Sequence, residues 1–192
     1  FMHGSLGLTD DGSLLICDGD GGMRTLDGPV VAMKHVGTVC DAMVREPSGR
    51  RWFAMDRQIW WWDQGQTGKL PHPPDVEPVL SVPALEVDAE GALWASFIRK
   101  GLYRHLNGRW TWIEPGKSGF PTLRPVSMGR DRKGRVWLGY AHSHVAVVEG
   151  TAARSWGPGE GLRVGAVSVI VPTDDGMLIG GTEGLASLVD GE

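Results

Sequence analysis

The chain has 192 residues, a formal net charge of −4 and 22% charged residues. With no basic block this excludes a nucleic-acid partner, and no apolar run is long enough to cross a bilayer as a helix. The 29 glycines and 9 tryptophans point to frequent turns, each followed by a large packing residue, which is an all-β signature.

Five glycines, Gly12, Gly49, Gly91, Gly134 and Gly176, recur at intervals of 37, 42, 43 and 42 residues and mark five copies of one unit. The first copy predicts a strand around Leu6, a turn at Asp10-Asp11-Gly12, a second strand carrying Leu15 and Cys17, and a third over 23–26. The second copy repeats this with Met43, the turn Pro47-Ser48-Gly49, then Trp52 and Ala54, and a strand over 59–62. The third has Leu85, Ala89-Glu90-Gly91, Trp94 with Ser96, and a strand over 102–105. A fourth strand is clearest here, where Trp110 and Trp112 flank Thr111 and share a face. The fourth copy has Met128, Arg132-Lys133-Gly134, Trp137 with Gly139, and a strand over 145–148. The fifth has Ile170, Asp174-Asp175-Gly176, Ile179 with Gly181, and a strand over 185–188.

Three residues after each glycine the side chain is large and apolar, five after it is small, and six before it is apolar. Polar turns closed by glycine tolerate positive φ. Four strands in about 42 residues is the size of a propeller blade, so the expected fold is an all-β propeller with blades over 6–37, 38–80, 81–122, 123–164 and 165–192. A lone sheet cannot bury both faces, so adjacent sheets mesh their large and small columns. Each buried tryptophan is then worth at most about 4–6 kcal/mol. The fifth copy shows three strands, and only five residues precede the first opening strand. The expectation is that the chain is part of a longer propeller or that a neighbouring chain covers the open edge, which invites self-association.

These residues resemble the two-component regulator propeller repeat, which reads roughly D-x-x-G-x-L-W-x-G-T-x-x-G-L. The comparison rests on 88–102 (DAEGALWASFIRKGL), 131–145 (DRKGRVWLGYAHSHV) and 173–185 (TDDGMLIGGTEGL), with Gly159-Glu160-Gly161-Leu162 similar to the family's joint between blades. The first two copies depart most, with Pro47 in one turn and Leu15 in place of tryptophan. The resemblance implies a periplasmic or otherwise extracytoplasmic sensor region that precedes a histidine kinase or diguanylate cyclase output domain, itself absent from this chain, with no catalytic residue in the propeller.

Variable loops on a repeated frame are where binding is normally placed. The loops between second and third strands supply Asp56, Arg57, Arg99, Lys100, Tyr140, His142 and Glu183 as candidate ligand-binding residues. Arg57, Arg99 and Lys100 suit an anionic ligand such as an acidic sugar; solvated loop charge is the competing reading. Asp18 and Asp20, set among glycines, are weak calcium candidates without the later ligands such a loop needs. His142 and His144, two apart, would share a strand face, with no third metal ligand indicated. Trp60-Trp61-Trp62 places rings on both faces of a strand, one of them a candidate sugar platform. Cys17 and Cys40 have no metal spacing; buried thiols and a disulfide between adjacent copies both stay open. No G-x-S-x-G, HExxH or phosphate loop occurs, so neither an enzyme nor a cofactor is expected. The reading is a ligand-sensing module that takes a small molecule or saccharide at the loop face. A protein assembly scaffold is the alternative, and a propeller lyase using His142 or His144 is a third.

Overall fold

In the second, third and fourth copies the turn after the opening strand carries an acid that accepts from the tryptophan of the same sheet. A computed structural model describes residues 5–8, 14–18, 22–25 and 40–189, with side chains described from residue 40 onward. The Gly12 turn and Asp20 lie outside the described residues, as do the side chains of Cys17 and Asp18. β1 (Ser5–Leu8), β2 (Leu14–Asp18) and β3 (Gly22–Thr25) form a three-stranded sheet. β4 (Cys40–Arg45), β5 (Arg51–Met55), β6 (Gln58–Asp63) and β7 (Gln66–Leu70) form a four-stranded one. So do β8 (Ala84–Val87), β9 (Leu93–Phe97), β10 (Gly101–Leu106) and β11 (Arg109–Ile113), and again β12 (Ser127–Arg130), β13 (Val136–Gly139), β14 (Val145–Glu149) and β15 (Ala152–Trp156). β16 (Val167–Pro172), β17 (Gly176–Gly181) and β18 (Gly184–Val189) form the last, three-stranded sheet. Each sheet keeps its strands in chain order, and the architecture is an all-β propeller. Among the described residues no helix is long and apolar enough to cross a membrane.

In the third copy Asp88 Oδ1 accepts the backbone N–H groups of Glu90 and Ala92, both at 2.9 Å, while Oδ2 accepts the Trp94 indole N–H at 2.8 Å. In the fourth copy Asp131 does the same for Lys133, Arg135 and Trp137. In the second, Glu46 takes the Trp52 indole on Oε1 and the Ser48 hydroxyl on Oε2. Gly49, Gly91 and Gly134 close these turns at φ of 100°, 80° and 78°, which a side chain would strain. The fifth copy has Ile179 where the others have tryptophan, and Thr173 where they have an acid. The first copy likewise pairs Leu15 with Thr9 in sequence. A carboxylate stands three residues before the turn glycine only where the copy has an indole to accept from.

The chain divides into two units, Phe1–Leu85 with Phe97–Arg99, and Glu86–Ser96 with Lys100–Glu192. In the first, Phe53 and Met55 pack with Met43, Trp60 and Trp62. Trp61, across from Trp52, lies against Gly68, where an added Cβ would meet its ring at 2.6 Å. The Arg50 guanidinium sits 5.3 Å from the centre of that ring. Cys40 is disulfide-bonded, and among the described residues no cysteine is free.

In the second unit Trp94 and Leu102 pack against Val136, Leu138 and Tyr140. Trp137 and Trp156, stacked at 5.5 Å, pack against Met177, Ile179 and Leu188. The tryptophan of one sheet thus beds on the second strand of the next. The fifth sheet does this with odd-numbered positions where the fourth uses even ones, because its register is offset. Met128 pairs with Leu138, but Ile170 pairs with Ile179. The cause is turn length. Asp131 N–H bonds Arg135 C=O across three residues, whereas Thr173 N–H bonds Gly176 C=O across two. Losing one residue moves the pairing by one and turns each side chain to the opposite face. The sequence column therefore aligns Ile179 with the tryptophans, while its side chain takes the opposite role.

Burial pushes the Asp131 carboxyl up. Hydrogen bonds from the Trp137 indole and from the Arg135 backbone and side chain, together with the Arg135 charge, outweigh this and hold the carboxyl below its ordinary value. Asp131→Ala is expected to cost about 2 kcal/mol in urea unfolding at pH 7, through an unmet indole donor and an uncapped turn. Because folding lowers the Asp131 pKa, its contribution is present above the unfolded value of about 3.9 and is lost as pH falls through the lower folded value. The gap between wild type and variant should close on the acid side of that range; a gap independent of pH counts against the pairing. Separately, maleimide labelling of the unfolded, unreduced chain should find no thiol, and labelling after reduction should find both cysteines.

Candidate functional site

β11 forms because Asn107 and Gly108, at φ of 51° and 76°, make the tight turn that a two-residue hairpin requires. Its register sets Ile113 opposite Leu102 and Thr111 opposite Arg104, so these four share a face with Trp94. The other face carries Tyr103, His105, Trp110 and the half-exposed Trp112; the His105 ring lies 4.8 Å from that of Trp110, and burial lowers the His105 pKa.

Beyond β11 the chain folds back over the next sheet. Gly116 N–H bonds Phe120 C=O, Phe120 N–H bonds Lys117 C=O, and Ala153 N–H of β15 bonds Ser118 C=O at 2.8 Å. Gly119, at φ of 82°, passes so close to β15 that an added Cβ would collide with the Ala153 carbonyl. Phe120 is buried beneath this arch. Between the arch, the face of β10–β11 and the Gly150-Thr151 turn lies a groove of about 350 Å³. Trp94, Ile113 and Phe120 give it an apolar floor, and Thr111, Glu114, Lys117, Ser118 and Thr151 give it a polar rim. That combination is the usual make-up of a small-molecule site.

The groove's charges are internally matched. Arg104 donates from Nε to Asp88 at 3.1 Å and is also paired with Glu90, and Lys117 pairs with Glu114 at 2.7 Å. A neutral ligand rich in hydroxyls suits such a rim better than an anion, because each cation is already paired with a carboxylate.

The residues expected at the loop face are placed differently from one another. Asp56, Arg57, Arg99, Lys100, His142 and Glu183 are exposed in their turns. Asp56, Arg57, Arg99 and His142 hold positive φ, from 52° to 67°, an uncommon state for residues other than glycine. Tyr140 is in the interior, in the cluster with Trp94, and burial pushes its hydroxyl pKa well up. It continues the alternation of Val136 and Leu138, which puts it on the packed face. His142 and His144 do not share a strand face. His142 and Ser143 form a left-handed turn, and His144 Nδ1 donates to the His142 carbonyl at 2.8 Å. Among the described residues no three metal-ligating side chains come together. Buried Ser143 accepts the N–H groups of Val164 and Gly165, and Thr182 accepts that of Ala166. Ser143 and the Thr182-Glu183 turn thus flank one joint and brace it. Sequence reasoning singled out the Trp110-to-Trp112 strand but not Arg104, Glu114, Lys117 or Thr151, which come together only through the arch.

No protein-family model matches the chain, and no curated protein matches it in sequence. Solved structures do match in fold. The extracellular domain of a candidate hybrid two-component system from B. thetaiotaomicron aligns at TM-score 0.72 and 19% identity, over 94% of this chain and 26% of that one. A second extracellular domain from the same organism, of a candidate one-component system, aligns at 0.68 and 12%, again over 94% and 26%. Virginiamycin B lyase from Staphylococcus aureus aligns at 0.73 and 12%, over all of this chain and 72% of the lyase. The chain spans about a quarter of the two extracellular domains.

Gly119→Ala is expected to cost more than about 1 kcal/mol from backbone strain alone, with a further cost from the collision at Ala153. Amide exchange should speed up at Ala153 as the arch lifts; an unchanged exchange rate there would show that the arch is not held by this contact.

Proposed function

We propose that this chain is the ligand-sensing propeller module of an extracytoplasmic bacterial signalling protein, and that it takes a small, uncharged, hydroxyl-rich molecule such as a saccharide. The observation that carries the reading is the groove beneath the 114–120 arch, with its apolar floor and a rim whose cations are already paired. Two extracellular signalling domains among the fold neighbours support the setting. So does the disulfide at Cys40, since such bonds persist in oxidising compartments. A ligand bridging β11 and the arch would bind most tightly when the arch is closed. That differential affinity is what passes binding on to an attached domain.

The test is a thermal-shift and calorimetric screen with neutral mono- and oligosaccharides, uronates and amino acids. A neutral saccharide is expected to raise the melting temperature. Thr151→Arg, which fills the groove mouth from an exposed turn, should weaken binding at least tenfold, and Glu183→Gln should leave it unchanged. The reverse pattern would move the site to the loop face, and a response to uronates alone would overturn the neutral-ligand assignment.

A further inference from the structure

We propose that Asn107 is a site of spontaneous deamidation, and that its isoaspartyl product loosens β11 along the groove. The chemistry needs no partner, and it stands whether or not the groove takes a saccharide.

Asn107 is the chain's single asparagine, and a glycine follows it. Asparagine is among the thermolabile residues. Glycine has no Cβ to shield its own backbone nitrogen, so Asn-Gly is the pair in which that nitrogen reaches the preceding side chain most freely. Both residues are exposed, and a Cβ added at Gly108 would meet nothing within 4 Å. The turn glycines Gly49, Gly91 and Gly134 donate their N–H groups to the carbonyls of Glu46, Asp88 and Asp131. Among the described residues no backbone carbonyl accepts the Gly108 N–H, and no hydrogen bond holds the Asn107 amide. Nucleophile and electrophile are thus adjacent, solvated and uncommitted.

Once solvent base takes its proton, the Gly108 nitrogen bonds to Asn107 Cγ. The Cγ–Nδ2 bond breaks and ammonia leaves with a proton from water, which gives a cyclic imide. Water then opens the ring. Cleavage at the side-chain carbonyl leaves aspartate, and cleavage at the main-chain carbonyl leaves isoaspartate, with one more atom in the backbone. Both products carry a new negative charge, but only isoaspartate lengthens the turn. A two-residue hairpin turn has no room for the extra atom. Leu106 pairs with Arg109 directly across it, and the same ladder sets Thr111 and Ile113 opposite Arg104 and Leu102. Among the described residues β10 is the only strand beside β11, so no second ladder restores the register.

The test incubates the folded chain and a urea-unfolded sample side by side at mildly alkaline pH and follows the tryptic peptide 105–109 by mass spectrometry. Conversion of amide to acid in the folded chain is expected within tenfold of the unfolded rate. A folded rate lower than that overturns the site, because the fold then protects the turn. Asn107→Gly, which suits a turn with two positive-φ positions, should abolish the conversion and leave the melting curve unchanged. In the isoaspartyl form, amide exchange over 109–113 should speed up at least tenfold. Asn107→Asp carries the charge without the added atom and should exchange as wild type does. Unchanged exchange in the isoaspartyl form, or an equal increase in Asn107→Asp, overturns the effect on β11.

Discussion

One contact links the local and the long-range structure of this chain: the indole N–H of a sheet's large residue donating to the carboxylate that shapes its own turn. With one oxygen Asp88 or Asp131 gathers the turn's backbone N–H groups, and with the other it satisfies the only polar atom of a tryptophan that the next sheet covers. Without that acceptor the buried indole donor would cost about 1–3 kcal/mol, a sizeable part of what its burial contributes. The turn acid and the buried ring therefore depend on each other. Copies with an aliphatic residue at the tryptophan position carry threonine in the turn.

The fifth sheet lacks this pairing, and its geometry differs accordingly. Its turn is a residue shorter and its register is offset, so Ile179 and Met177 face the fourth sheet. Its other face, with Val169, Val171 and Leu185, meets solvent. An alternating strand has only two faces, so a one-residue change in a turn decides which set of side chains is buried.

The groove depends on the rigid frame in a different way. Its floor is the same tryptophan and its neighbours, held by sheet packing, while its rim is an arch pinned by Ser118, Gly119 and Phe120 to β15 and the core. A fixed floor under a segment tied at few points suits a site that must respond to occupancy. Two of the loop-face turns serve as braces: Ser143 and Thr182 hold the joint over 164–166.

The strand frame was legible in the residues alone. Glycine-closed turns and the large and small columns around them are set by spacing, and spacing is local. It showed Trp94 and Trp137 as packing residues, the fourth strand at Trp110 to Trp112, and a fifth copy of three strands. It could not show that Tyr140 continues a buried alternation, because residue identity does not reveal where a strand ends. Nor could it show that Ile179 faces the opposite way, because hydrogen-bond register across a hairpin is set by the turn and not by the column. Folding in three dimensions brought Thr111, Lys117 and Thr151 around one groove. That depends on which backbone passes over which face, a relation between residues far apart in the chain that no local pattern encodes.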